Sequence, residues 1–197
     1  MKNIYLRILF SLFIIGAITS CEDSDLAIDE LYDNVNTQGA FIRTLSSPLQ
    51  LVNLSSETMN FIAMSLEVQE GNGSIPSTLR ELNVYAALYN DQDQIEPTVD
   101  ASGNPFPEVL LSSIQAADFV PSELNNLPST DVYIPTQTIV DNADGAVFTI
   151  PTFIYLRLEL VMEDGTTYTD TNVGPDIAAL NNFYNTPFSF NIIFLPS

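Results

Sequence analysis

The sequence predicts an all-β domain built as an antiparallel β-sandwich, and three observations carry the prediction. Apolar residues alternate with polar ones along several short runs, the period-two pattern of strands with one buried face. The 12 Pro and 8 Gly fall between those runs and set turn signals about ten residues apart. No long stretch repeats its apolar residues at helical spacing, so a bundle is not the solution. A small closed barrel is the other architecture such a pattern allows.

The domain is preceded by a leader. Lys2 and Arg7 are the only charges before an apolar run, Ile8 to Ile18, broken by Ser11 and Gly16. A basic start, a short apolar core and small residues ahead of a cleavage point make a secretory signal peptide. The run is too short to span a bilayer as a helix, which takes about twenty residues. Ile18-Thr19-Ser20-Cys21 fits the lipobox of bacterial lipoproteins, in which the cysteine is lipidated and becomes the mature N-terminus. Cys21 is the sole cysteine, so no internal disulfide can form. Two or more acyl chains on it would anchor the protein stably without a span. Glu22-Asp23-Ser24-Asp25 follows directly. It resembles the acidic export signal that sends Bacteroidota lipoproteins to the outer face of the outer membrane. Residues 1–20 are therefore expected as signal peptide, 21–38 as a lipidated acidic tether and 39–197 as the sandwich domain.

Along that domain, Gly39–Leu45 and Leu49–Leu54 read as short strands parted by Ser46-Ser47-Pro48. Between Asn60 and Gln69, Ile62, Met64, Leu66 and Val68 define one apolar face. Leu82, Val84, Ala86 and Leu88 repeat the pattern, with Tyr85 and Tyr89 opposite. Asn90–Pro107 lacks periodicity and reads as a long loop of the functional or mobile kind. Val109–Ile114 and Ser129–Pro135 are further strands, with helical turns expected at Ala116–Phe119 and Thr136–Asn142. The strongest strand region is Phe148–Met162. Pro151 moves its true start to Thr152, because proline cannot donate to a ladder. Ile154, Leu156, Leu158, Leu160 and Met162 point one way, and Tyr155, Arg157, Glu159 and Val161 the other. Asp164-Gly165 predicts a type I′ hairpin returning along Thr167–Thr171. A short helix is expected over Pro175–Tyr184. A last strand, Pro187–Leu195, carries Phe188, Phe190, Ile192 and Phe194 on one face. Eight or nine such strands suit an immunoglobulin-like sandwich in general architecture.

Charge limits the function. The chain has 5 Lys+Arg against 25 Asp+Glu and no histidine, a net charge of −20. Loss of Lys2 and Arg7 with the leader takes it to −22 and leaves Arg43, Arg80 and Arg157 as the only cations. Nucleic acid and anionic lipid headgroups are excluded as partners, since both are held by Lys and Arg. Without His or Lys there is no base for a Ser-His-Asp or Cys-His centre, and no His/Cys zinc site. Carboxylates alone could serve a glycosidase, yet no pair stands out from the acidic background, so no enzyme is expected. Calcium is the cofactor to consider, because it takes oxygen ligands. Asp91, Asp93, Glu96 and Asp100 sit in the long loop and Asp141, Asn142 and Asp144 in a second. Neither set has the EF-hand spacing. Arg157, mid-strand, is expected to pair with a cross-strand acid.

The run Phe153 to Tyr168, with Tyr32-Asp33-Asn34-Val35 leading to Gly39-Ala40 and Arg43-Thr44, and the late Pro187-Phe188, resembles small uncharacterised outer-membrane lipoproteins of Bacteroidota. Such proteins commonly accompany nutrient-uptake systems built on a TonB-dependent transporter and a SusD-like lid lipoprotein. The resemblance implies a non-catalytic binding or accessory module facing the cell exterior. Its partners would be outer-membrane transporter proteins, a glycan or a peptide. The alternative is a purely structural envelope lipoprotein. Tyr85, Tyr89 and Tyr155 discriminate: one exposed patch favours binding, and a covering sheet favours the structural reading.

Overall fold

The computed structural model describes residues 39–71, 73, 77–173 and 186–196, which belong to one compact unit, Gln38–Ser197. Cys21, the Glu22–Asp25 tetrad and the helix expected over Pro175–Tyr184 lie outside the described residues.

Among the described residues ten strands form two sheets. They are β1 (Ala40–Ser46), β2 (Leu51–Asn53), β3 (Phe61–Glu70), β4 (Leu79–Tyr89), β5 (Val109–Gln115), β6 (Val120–Pro121), β7 (Pro128–Pro135), β8 (Thr152–Met162), β9 (Thr167–Thr169) and β10 (Ser189–Leu195). A 3-10 turn at Ala116–Asp118 and one helix, α1 (Thr136–Asn142), stand where helical turns were expected. One sheet is ordered β1-β3-β7-β6, the other β2-β10-β8-β4-β5, with β9 also on β8. These are the immunoglobulin orders, A-B-E-D facing G-F-C-C′. The last strand is divided: β9 pairs Glu159–Val161 and β10 pairs Thr152–Arg157 of the same strand. Among the described residues no helix is long and apolar enough to cross a membrane.

The core lies between the sheets and is made by alternation. Ile62, Met64, Leu66 and Val68 of β3 face Leu82, Val84, Ala86 and Leu88 of β4 and Ile154, Leu156, Leu158 and Leu160 of β8. Among the described residues Phe188 and Phe194 are the largest fully buried side chains. They supply the bulk that a tryptophan and a disulfide would supply in an antibody domain. Phe194 meets Phe148 edge to face, ring centroids 5.8 Å apart.

Three expectations are corrected. The sandwich is not wholly antiparallel, because β2 runs parallel to β10. The chain passes from β1 to β2 without reversing and changes sheet at Ser47-Pro48, which lays β2 beside the last strand in the same direction. The hairpin after β8 is not type I′, since only Gly165 has positive φ, +86°. Gly165 N–H donates to the Met162 carbonyl and Met162 N–H to that of Thr166, a three-residue loop closed by a left-handed glycine. Asp164 has negative φ, and its carboxylate accepts the Thr166 N–H at 2.8 Å. Val161, expected on the open face, is 4% exposed, lying between Glu81 of β4 and Thr167 of β9.

Candidate functional site: the outer face of the larger sheet

Outward residues of β4 and β8 meet in register. Ala87 stands opposite Tyr155, Tyr85 opposite Arg157, Asn83 opposite Glu159 and Tyr89 opposite Phe153. The three tyrosines therefore share one face, as alternation dictates. Among the described residues no second sheet covers that face, and all three are partly exposed.

Arg157 organises it. Its Nε and Nη2 donate to the two oxygens of Glu108 at 2.8 and 2.6 Å, a two-pronged pair. Nη1 reaches Glu159 at 3.3 Å and the Thr169 hydroxyl at 3.2 Å. The guanidinium lies over the Tyr85 ring, 4.3 Å from its centroid. Glu108 holds the Arg157 pKa well above its ordinary value, so this cation is permanent. The residues directly opposite it are Tyr85 and Ser189, so its acids are Glu159 on the same strand and a more distant Glu108 rather than one on a neighbouring strand. Glu108 stands just before β5, and Arg157 reaches across β4 to it.

The phenols are engaged as well. Tyr85 donates to Glu159 at 3.3 Å, and burial followed by the Glu159 charge raises its pKa. Tyr155 donates to Asp170, whose other oxygen accepts from the Thr169 hydroxyl at 2.9 Å. Burial first, then Asp170, pushes Tyr155 up to about 12. The face therefore carries protonated phenols, a neutralised cation and carboxylates that already accept hydrogen bonds. The Tyr85 and Tyr155 hydroxyls have already donated, so the face presents ring surfaces, and Tyr85 is not a bare platform because Arg157 occupies one side of its ring.

The acids proposed for calcium are not brought together: among the described residues no group of three or more is placed to hold a metal ion. Asp91 and Asp100 work as loop formers. Asp91 accepts the N–H groups of Ile95 and Glu96, the latter at 2.6 Å. Asp100 accepts those of Ser102 and Asn104. The long segment 90–107 is thereby folded into two turns, with Val99 bridged to Pro105 and Asp100 to Ala146. Asp93 and Glu96 add no gathered ligand, and Asp141, expected in a second loop, lies in α1 and accepts from Gln137 at 2.8 Å.

Each of the three described arginines is in an ion pair. Arg43 meets the buried Glu67 at 2.8 Å, Arg80 meets Glu81 at 3.0 Å, and Arg157 meets Glu108 and Glu159. Glu159 could have been found from sequence, two residues from Arg157 on the same face. Glu108, Thr169 and Asp170 could not, because they arrive from loops and a short strand whose register no local pattern fixes.

No protein-family model matches the chain, and no curated protein matches it. A solved structure it resembles is a bacterial adhesin from Mobiluncus mulieris containing intramolecular disulfide, isopeptide and ester bond cross-links. The two are 10% identical, the match covers 81% of this chain and 56% of the adhesin chain, and the TM-score is 0.23.

Proposed function

We propose that this chain is a lipid-anchored outer-membrane lipoprotein that faces the cell exterior and serves as a non-catalytic binding or accessory module, of the kind that accompanies a nutrient-uptake transporter. The observation that supports it is a leader ending in Cys21 and an acidic tetrad joined to a sandwich whose polar face is set by internal ion pairs. A face ordered in this way suits contact with a protein surface. It suits an anionic ligand poorly, since the described cations are already paired, and a stacked sugar poorly, since Tyr85 carries Arg157 on its ring. The second reading, an envelope lipoprotein without a small-molecule ligand, draws on the same engaged tyrosine hydroxyls.

The test is made in the native membrane with tagged full-length protein. Wild type should sediment with outer membranes, be cut by protease added to whole cells and bring transporter proteins with it in a pull-down. Cys21→Ala should release it or leave it unprocessed. Alanine in place of Glu22, Asp23 and Asp25 should keep the anchor and abolish protease access. Recovery of Met1 on the membrane form refutes the anchor, and unchanged protease access refutes the export signal. Pull-downs that match an unrelated lipoprotein favour the structural reading.

A further inference from the structure

Edges are where a sandwich leaves backbone unpaired, and an open edge is a template for another strand. Three edges here carry devices that oppose addition. β1 presents Arg43, and its pairing with β3 shifts between Thr44 and Ser46. β5 shifts likewise, Ser112 pairing with Val84 but Leu110 with Tyr85. β6 is two residues long, and one is Pro121. Charge, bulges, proline and shortness are all known protections of an edge. The remaining edge differs. β8 pairs β10 from Ser189 onward, whereas β2 covers β10 only at Ile193–Leu195.

Which way the backbone points there follows from parity. Leu158 N–H donates to the Phe188 carbonyl at 2.7 Å, on the β8 side. Ile193 N–H donates to the Gln50 carbonyl at 2.8 Å, on the opposite side. Antiparallel ladders alternate, so Phe190 and Ile192 face β8, while Ser189 and Asn191 turn N–H and C=O away from it. Among the described residues no backbone hydrogen bond joins those groups to Ser47–Gln50. Pro48 has no N–H to give, and the chain is changing sheets at that point. Beside this half-edge lies a cavity of about 360 Å³, bounded in part by Leu49, Gln50, Gln92, Phe153, Asn191 and Ile193. Among the described residues no charged one lines it, on a chain of net charge −20.

We propose that the Ser189–Asn191 half-edge is a docking groove for an extended segment of another protein, which adds as a strand in line with β2. Main-chain bonds to Ser189 and Asn191 hold such a segment, and alternate side chains rest against Leu49, Phe153 and Ile193. The segment is apolar and lacks acids, because a carboxylate would enter an acidic chain whose described arginines are all paired elsewhere. This goes beyond the anchoring and export reading and does not depend on it.

The test uses isotope-labelled full-length protein in detergent micelles and a capped hexapeptide of alternating valine and threonine. In the free protein the Ser189 and Asn191 amides exchange fast while Phe190 and Ile192 stay protected. Peptide shifts the first pair and slows their exchange. Asn191→Pro removes an edge donor without touching the β8 ladder and abolishes the response. Asn191→Ala keeps the donor, giving up only the side-chain bond from Gln94, and retains the response. Protection of Ser189 and Asn191 in the free protein equal to that of Ile192 overturns the proposal, as it shows the edge already paired. So do shifts that map to β1 or β5, equal binding by the proline and alanine variants, or a response to maltohexaose with none to peptide, which would make the groove a neutral-sugar site.

Discussion

Leu158 and Arg157 are neighbours on the central strand β8 and face opposite ways, so truncating each to alanine tests the register and the layering together. Leu158 is fully buried and stands opposite Val84 of β4. Leu158→Ala removes three carbons, about 2.4 kcal/mol at roughly 0.8 per buried carbon group. The cavity left behind raises the loss into a range of about 2–5 kcal/mol. Arg157→Ala removes a two-pronged pair whose side chains are 16% and 33% exposed, together with the contact on Tyr85. A partly exposed pair contributes about 0.2–1 kcal/mol and the ring contact about 0.5–1, for a loss of roughly 1–2 kcal/mol. The two also differ in kind. Raising salt from about 0.1 to 1 M shortens the screening length from about 10 to 3 Å, which shrinks the Arg157 loss and leaves that of Leu158. Urea unfolding at both salt concentrations reads both effects from the midpoint, provided the slope is unchanged. Equal losses, or a Leu158 loss that falls with salt, would refute the assignment of faces.

Tyr155, with its pKa raised to about 12, contributes stability that is intact below the unfolded value of about 10 and is lost as pH rises toward 12. An absorbance titration should show Tyr155 among the late phenols, and Tyr155→Phe should remove its phase and the matching alkaline slope of the unfolding midpoint. Asp91 and Asp164 move the opposite way: their carboxyls are lowered chiefly by the Glu96 and Thr166 N–H groups. Their contribution is present above about pH 3.9 and is lost as pH falls, so Asp91→Asn should flatten the decline in midpoint between about pH 5 and 3. Gly165→Ala meets no atom within 4 Å but must hold φ +86°, so it should lower stability by about 1–2 kcal/mol, while alanine at the exposed Thr166 changes little.

The fold was legible because a sheet with one buried face writes its period directly into the chain. Ile154, Leu156, Leu158 and Leu160 are all 0% exposed, as the alternation requires. Thr152 is the observed start of β8, as Pro151 implies. What alternation cannot encode is a strand's neighbour. The three residues of β2 look the same in sequence whether they pair parallel or antiparallel, and alternation does not show that β9 and β10 both pair with β8. The Asp-Gly pair correctly marked a reversal. Its type follows from the three-residue loop that Gly165 closes, which the pair alone does not specify.

The same limit explains the site. Sequence placed Tyr85 on the less apolar face of β4 and Tyr155 with Arg157 on that of β8, since that needs only alternation within each strand, and the pairing of the two strands joins those faces. It could not say that Arg157 would reach across β4 to Glu108, or that β9 would bring Thr169 to the same guanidinium. Those contacts tie the approach to β5, the strands β4 and β8, and β9 into one network on the outer surface. Antibody domains hold their sheets with a disulfide and a tryptophan in the interior. This chain has no tryptophan and its sole cysteine is Cys21. Phenylalanines fill its interior, and lateral alignment within the larger sheet is reinforced from outside by charge. A clamp of that kind fixes the face before any partner arrives, so the ordering entropy that a mobile surface loses on binding has already been lost in folding.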